Sequence, residues 1–225
     1  MKKYELTAEF IEKWGKKLFR IKALISFGSV EAGELGGYVE KEDNLAQDGN
    51  AWVYGNARVY GNARVYGNAE VYGNARVYGN ARVYGDAEVY GNARVYGDAE
   101  VYGNARVSGD ARVCGNAEVC GNAEVYGNAR VSGDARVSGD ADYLLIGRIG
   151  SRFSFTTFFK NKDKGITVSC GCFLGTIAEF RAKVTDTHGN NKHAKMYNLA
   201  ADMAELQILG EEHFDKLNTN KSEPF

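Results

Sequence analysis

Residues 85–102 read Gly85-Asp86-Ala87-Glu88-Val89-Tyr90-Gly91-Asn92-Ala93-Arg94-Val95-Tyr96-Gly97-Asp98-Ala99-Glu100-Val101-Tyr102, three copies of one six-residue phrase. Working outward, the unit Gly-Asn/Asp-Ala-x-Val-(Tyr/Ser/Cys) runs in register from Gly49 to Ala141 with no insertion or deletion. It contains sixteen Gly-Asn/Asp-Ala triplets, the last being Gly139-Asp140-Ala141. Within a unit Ala, x and Val alternate inward, outward, inward as a short strand requires, while Gly and Asn/Asp tolerate the positive φ of a bend. Each hexad is thus one strand and one corner. An α-helix is excluded, because Ala and Val sit two and then four apart and a glycine recurs in every unit.

The rest of the composition follows from the repeat. Glycine reaches 28 of 225 residues with a single proline, Pro224, as expected when one glycine is placed per hexad. Lys and Arg total 28 against 29 Asp and Glu, a formal net charge of -1, so any charge signal must be local. Four cysteines, no apolar run approaching ~18 residues and no secretory leader after Met1-Lys2-Lys3 predict a cytoplasmic protein with reduced thiols and no membrane association.

The unit Val53-Tyr54-Gly55-Asn56-Ala57-Arg58, aliphatic-x-x-x-small-x, resembles the hexapeptide-repeat proteins, and the likeness covers over a third of the chain. The resemblance implies an all-β, left-handed parallel β-helix with three hexads per triangular coil, so that residues eighteen apart stack. At a strand spacing of ~4.8 Å, somewhat over five coils would span roughly 25 Å. The open ends of such a stack need covers. Residues 1–48 are the expected amino-terminal cap and irregular first coil, 49–141 the β-helix, and 142–225 a small α+β domain. The stretch Phe27 to Tyr38, with Leu45 to Trp52, resembles the amino-terminal part of bacterial and phage hexapeptide proteins, some of them labelled acyltransferases.

Taken every eighteenth residue, the outward positions fall into three columns. One reads Arg58, Arg76, Arg94, Arg112, Arg130; another Trp52, Glu70, Glu88, Arg106, Glu124; the third Arg64, Arg82, Glu100, Glu118, Arg136. Beside the arginines run Tyr60, Tyr78 and Tyr96, then Cys114 and Ser132. Like charges one coil apart repel by roughly 1 kcal/mol or less in water, so the five-arginine column is mildly costly unless something anionic lies on it. The expected binding residues are therefore these five arginines and Tyr60, Tyr78 and Tyr96. The partner is a protein or another copy, as dimer or trimer, and nucleic acid or a nucleotide is the alternative. A solvated column copied by tandem duplication is the bland alternative. The corner tyrosines are read as packing on one another, and Cys114 and Cys120, on different corners, as unbonded replacements for tyrosine.

Acyltransferases of the resembled family use a histidine base on or near a loop that bulges from the coils. This array has neither, since the histidines are His188, His193 and His213, all beyond it. Binding is therefore expected over catalysis, with an acyltransferase relative as a further alternative.

After Ala141 the period ends. Asp142 to Ile146, Arg152 to Phe159 and Ile166 to Cys170 read as strands, with a turn at Asn161 to Gly165. Thr176-Ile177-Ala178-Glu179 is a capping box opening a helix to about Thr187, and Lys192 to Leu209 a second helix. The segments around Cys170-Gly171-Cys172-Phe173 and Thr187-His188-Gly189-Asn190 resemble a tail of phage and prophage repeat proteins. Cys170, Cys172, His188 and His193 are zinc-ligand types, although C-x-C is tighter than the usual spacer, and no cofactor is expected. The reading is a non-catalytic binding or assembly protein of phage type, presenting a rigid β-helix surface and a carboxy-terminal recognition domain.

Overall fold

The computed structural model describes residues 1–212 and 214. Strands β1 (Tyr4–Lys13), β2 (Lys16–Ala23) and β3 (Leu35–Val39) precede the array. Strands β4 to β18 are two-residue segments beginning at Trp52–Val53 and recurring every sixth residue to Arg136–Val137. The parallel register pairs residues eighteen apart, as in Arg94 with Arg112 and Val95 with Val113, which makes three sheets around one core. The array is a three-sided parallel β-solenoid with three hexads per coil.

Its interior is made of two residue types. Every Ala and Val of the repeat from Ala51 to Val137 is fully buried. Each such valine contributes about 1.5–3 kcal/mol of apolar burial before chain entropy opposes it. Backbone groups are satisfied between coils, as when Arg94 N donates to the Ala111 carbonyl at 2.9 Å. The corner geometry explains the glycine. Gly91 sits at φ +67°, and a Cβ there would lie 3.0 Å from Gly109 N of the next coil.

Corner asparagines form ladders up the stack. Asn50 Nδ2 donates to Asn68 Oδ1 and Asn68 Nδ2 to Asp86 Oδ1; Asn92 donates likewise to Asp110 at 3.1 Å. An aspartate accepts but cannot donate, so the ladders that reach Asp86, Asp98, Asp110 and Asp134 stop there.

The amino-terminal end is closed by the β1–β2 hairpin, which continues the arginine-bearing sheet through β3. Trp52, placed by its column among the outward residues, is instead fully buried. It heads its sheet with no coil before it, and Tyr4 and Phe27 cover it edge-on with ring centroids 6.1 and 5.4 Å away. Lys3 Nζ donates to the edge carbonyls of Asp48, Gly49 and Ala51 at 3.2, 3.3 and 2.9 Å. These contacts answer the open-edge problem with one buried ammonium.

The carboxy-terminal domain is a four-stranded antiparallel meander, β19 (Tyr143–Ile149), β20 (Ser154–Lys160), β21 (Ile166–Cys170) and β22 (Phe173–Thr176), with α1 (Ile177–His188) and α2 (Lys192–Leu209) packed on it. The Thr176/Glu179 capping box forms as the sequence predicts. Strand β22 has no counterpart in the sequence reading, where Cys170 to Phe173 passes as a motif. Gly171, at φ +63°, turns the chain so that Phe173 pairs with Cys170. Arg181 ties the two helices together, donating to Asp202 and Glu205 at 2.7 Å each.

Tyr143 and Phe159 join the solenoid core, so the domain caps the last coil. Arg130 N donates to Thr157 Oγ1 at 3.0 Å and Lys162 N to the Asp134 carbonyl at 3.1 Å. Among the described residues no helix is long and apolar enough to cross a membrane.

Candidate functional site

The five arginines stand in one register-matched column. Among the described residues none of them meets a carboxylate within ion-pair distance, whereas the other two faces carry both signs and are compensated in part. Arg82 pairs with Glu100 at 3.3 Å, Arg106 with Glu88 and Glu124 at 3.3 and 3.4 Å, and Lys162 reaches Glu118 at 3.0 Å. The corner tyrosines follow the same division. Tyr72 donates to Glu88 at 2.6 Å and Tyr84 to Glu100 at 2.8 Å, sixteen residues ahead. Sixteen residues ahead of Tyr60, Tyr78 and Tyr96 stand Arg76, Arg94 and Arg112, which accept nothing.

Those three tyrosines stack nearly parallel, with centroids 5.0 and 4.9 Å apart. Trp14, at the hairpin tip with φ 54°, extends the stack over Tyr60 at 5.2 Å, and the Arg76 guanidinium lies over its ring at 4.9 Å. Burial, aided by the neighbouring Tyr78, pushes the Tyr60 phenol up to about 12 against the pull of Arg76, Arg94 and Arg58. Tyr96 is pushed up to about 12 by its hydrogen bond with Cys114 and by burial.

The hairpin covers the amino-terminal rungs, and the carboxy-terminal domain walls off the other end. Between them a cleft of about 280 Å³ is lined by Asn92, Arg94, Asp110, Arg112, Asn128, Arg130, Ser154, Phe155, Thr157, Ser169 and Gly171. A second cleft of about 160 Å³ adjoins it, lined by Tyr96, Arg112, Cys114, Arg130, Ser132, Ser169, Gly171, Cys172, Phe173 and Leu174. Arg112, Arg130, Ser169 and Gly171 line both. The structure therefore brings Arg94, Arg112, Arg130 and Tyr96 of the expected surface together with hydroxyls of β20 and β21. It leaves Arg58, Arg76, Tyr60 and Tyr78 outside the clefts, towards the hairpin. Ser154, Thr157 and Ser169 escaped the sequence reading because their strands carry no period linking them to the repeat.

Cys170, Cys172 and His188 line a third cleft of about 430 Å³ on the helical side of β21, with Arg152, Lys183 and Tyr197. His193 does not line it, and its ring lies 5.9 Å from that of His188. Thr156 Oγ1 donates to Cys170 Sγ at 3.2 Å, and burial, together with Cys170, pushes Tyr197 up to about 12. Among the described residues no three His, Cys, Asp or Glu side chains are grouped to hold a metal ion. His213 lies outside the described residues. Cys114 and Cys120 are both free.

No protein of curated function matches the chain. The family model described as the YdcK beta solenoid repeat matches residues 51–67, 57–73, 63–79, 69–85, 75–89, 87–101, 99–115 and 123–139, so the array is similar to that repeat along most of its length, and both capping regions lie outside the match.

Proposed function

We propose that this protein is a non-catalytic binding module whose recognition surface is the arginine face, at its junction with the carboxy-terminal domain, and whose partner is anionic. The observation that carries the reading is a column of five guanidiniums that meet no carboxylate, beside two faces on which Glu88, Glu100 and Glu124 pair with arginines. Stacked like charges are a cost that the fold does not require, because Glu occupies the same repeat position elsewhere. Arginine forks are suited to planar, bidentate contact with phosphate or carboxylate oxygens. The glutamates of the two mixed faces have little to offer a second copy of the chain, since Glu88 and Glu100 already accept from tyrosines and pair with arginines. A module of this kind fits the phage or prophage setting to which the flanking sequences are similar. Binding is favoured over acyl transfer because residues 49–141 contain no histidine and no inserted loop.

The test is retention on immobilised heparin as a function of salt. The native protein should elute later than its near-neutral charge predicts, and Arg94→Glu with Arg112→Glu should abolish that delay. Equal elution of the two proteins would overturn the reading.

A further inference from the structure

We infer that the two adjoining clefts form one site for a small phosphate monoester carrying a flat aromatic group, with the phosphate on Arg112 and Arg130 and the ring continuing the stack that ends at Tyr96. This inference rests on the reading of the arginine face as an anion-recognition surface.

Two features of the corner column carry it. Tyr60, Tyr78 and Tyr96 are followed, at the same repeat position, by Cys114 and Ser132. The aromatic ladder stops there, and the smaller side chains leave the concavity that Tyr96 heads. On the neighbouring corner the series Tyr66, Tyr84, Tyr102, Cys120, Ser138 makes the same change, yet there the place beside Tyr102 is closed at Cys120, with Ser138 beyond it exposed. Cys120 is only 7% exposed, and Ser138 donates to Asp142, itself held by Lys160. On the arginine corner the space stays open. A planar group would find a ring face at one coil's spacing, the geometry already adopted by the tyrosines below it.

The polar half fits the same ligand. Arg94, Arg112 and Arg130 supply forked donors, and the nearly buried hydroxyls of Thr157 and Ser169 line the wall opposite them. The clefts together are near the low end of the ~300–1,000 Å³ typical of small-molecule sites. The column meets Trp14 at Arg76 and the domain at the backbone of Arg130, whose side chain stays exposed, so the run between those contacts is on the order of 15 Å at ~4.8 Å per coil. That suits one small ligand rather than a long polymer. Asp110 also lines the polar cleft, and its carboxylate opposes an anion.

The probes are inorganic phosphate, ribose 5-phosphate and adenosine 5′-monophosphate, measured by titration calorimetry on the full chain. The nucleotide should bind at least tenfold more tightly than ribose 5-phosphate. Cys114→Tyr with Ser132→Tyr restores the residue of the repeat and fills the smaller cleft, so it should remove that tenfold preference while heparin retention persists. Asp110→Asn, which restores the Asn of neighbouring coils, should tighten all three anions several-fold. The inference fails if the nucleotide binds no better than ribose 5-phosphate, or if the filled variant binds it as the native protein does. Should heparin retention remain salt-sensitive in that event, the anion-surface reading survives and only the small-ligand site is lost; if retention is absent as well, both fail.

Discussion

Two faces of the solenoid and the third are built from one phrase and differ in a single repeated position. All three share the alanine and valine interior, the glycine corner and the inter-coil hydrogen bonds. On the two mixed faces, glutamates accept from tyrosines one coil away and pair with arginines. On the arginine face the same tyrosines have only cations ahead of them, and the column runs uncompensated from Arg58 to Arg130. The difference separates what the fold needs from what it merely carries. The interior dictates the solenoid, and the outward position is free, so an unbroken cationic column there is a property of the surface and not a demand of the fold.

The comparison is broken most completely by removing what the faces share. Val89 is fully buried beneath a mixed face, and Val89→Asp would place a carboxylate among stacked valines and alanines. The lost apolar burial and the buried charge should cost well over ~3 kcal/mol, enough to abolish a single cooperative melt followed by circular dichroism. A melt like that of the native protein would mean that the three faces do not depend on one core.

Arg94→Glu with Arg112→Glu should do the opposite. Carboxylates at those positions would adjoin each other but also face Arg76 and Arg130, one opposite charge for each, and would give Tyr78 and Tyr96 acceptors. Exposed cross-strand pairs contribute roughly 0.2–1 kcal/mol each, so the melting temperature should hold or rise slightly while heparin retention is lost. A fall of several degrees would show that the cationic column is structural.

Legibility in the sequence followed the same division. The strand-and-corner unit could be read from a period that never slips, and the eighteen-residue register with its charge columns from the resemblance to hexapeptide-repeat proteins. The helices of the carboxy-terminal domain could be read because Thr176 and Glu179 form a local signal. The site was legible only in part. Arg94, Arg112, Arg130 and Tyr96 stood out by stacking, but Thr157 and Ser169 come to them through strand pairing of non-repeating segments, a long-range effect that spacing cannot carry. Trp52 misled for a related reason: its column position is outward, and only the tertiary cap of Tyr4 and Phe27 buries it.

A smaller effect concerns the hairpin that covers the upper rungs. Trp14 stacks on Tyr60 and meets Arg76, a combination worth about 1–2 kcal/mol. Trp14→Ala should lower the melting temperature by only a few degrees, with faster amide exchange confined to the β1–β2 hairpin. Exchange that accelerates throughout the solenoid would place the hairpin in the cooperative core.

The finest distinction between the faces lies in their phenols. Burial is the chief cause that pushes up Tyr60, Tyr72 and Tyr84 alike, but Glu88 and Glu100 add to it for Tyr72 and Tyr84, while Arg76, Arg94 and Arg58 draw Tyr60 back to about 12. Phenols of the unfolded chain titrate near ~10. Between about pH 10 and 12 the unfolded chain therefore sheds protons that the folded chain keeps, so the stabilisation is complete below about 10 and declines as pH rises through the folded values. An absorbance titration of the tyrosinates, with Tyr60→Phe identifying its share, should show Tyr60 ionising before the glutamate-face phenols. In the Arg94→Glu, Arg112→Glu protein that share should move to higher pH, because one of the cations that hold Tyr60 down has become an anion. If Tyr60 titrates unchanged there, the column's field does not reach its own aromatic stack, and the electrostatic contrast between the faces is confined to the guanidinium tips.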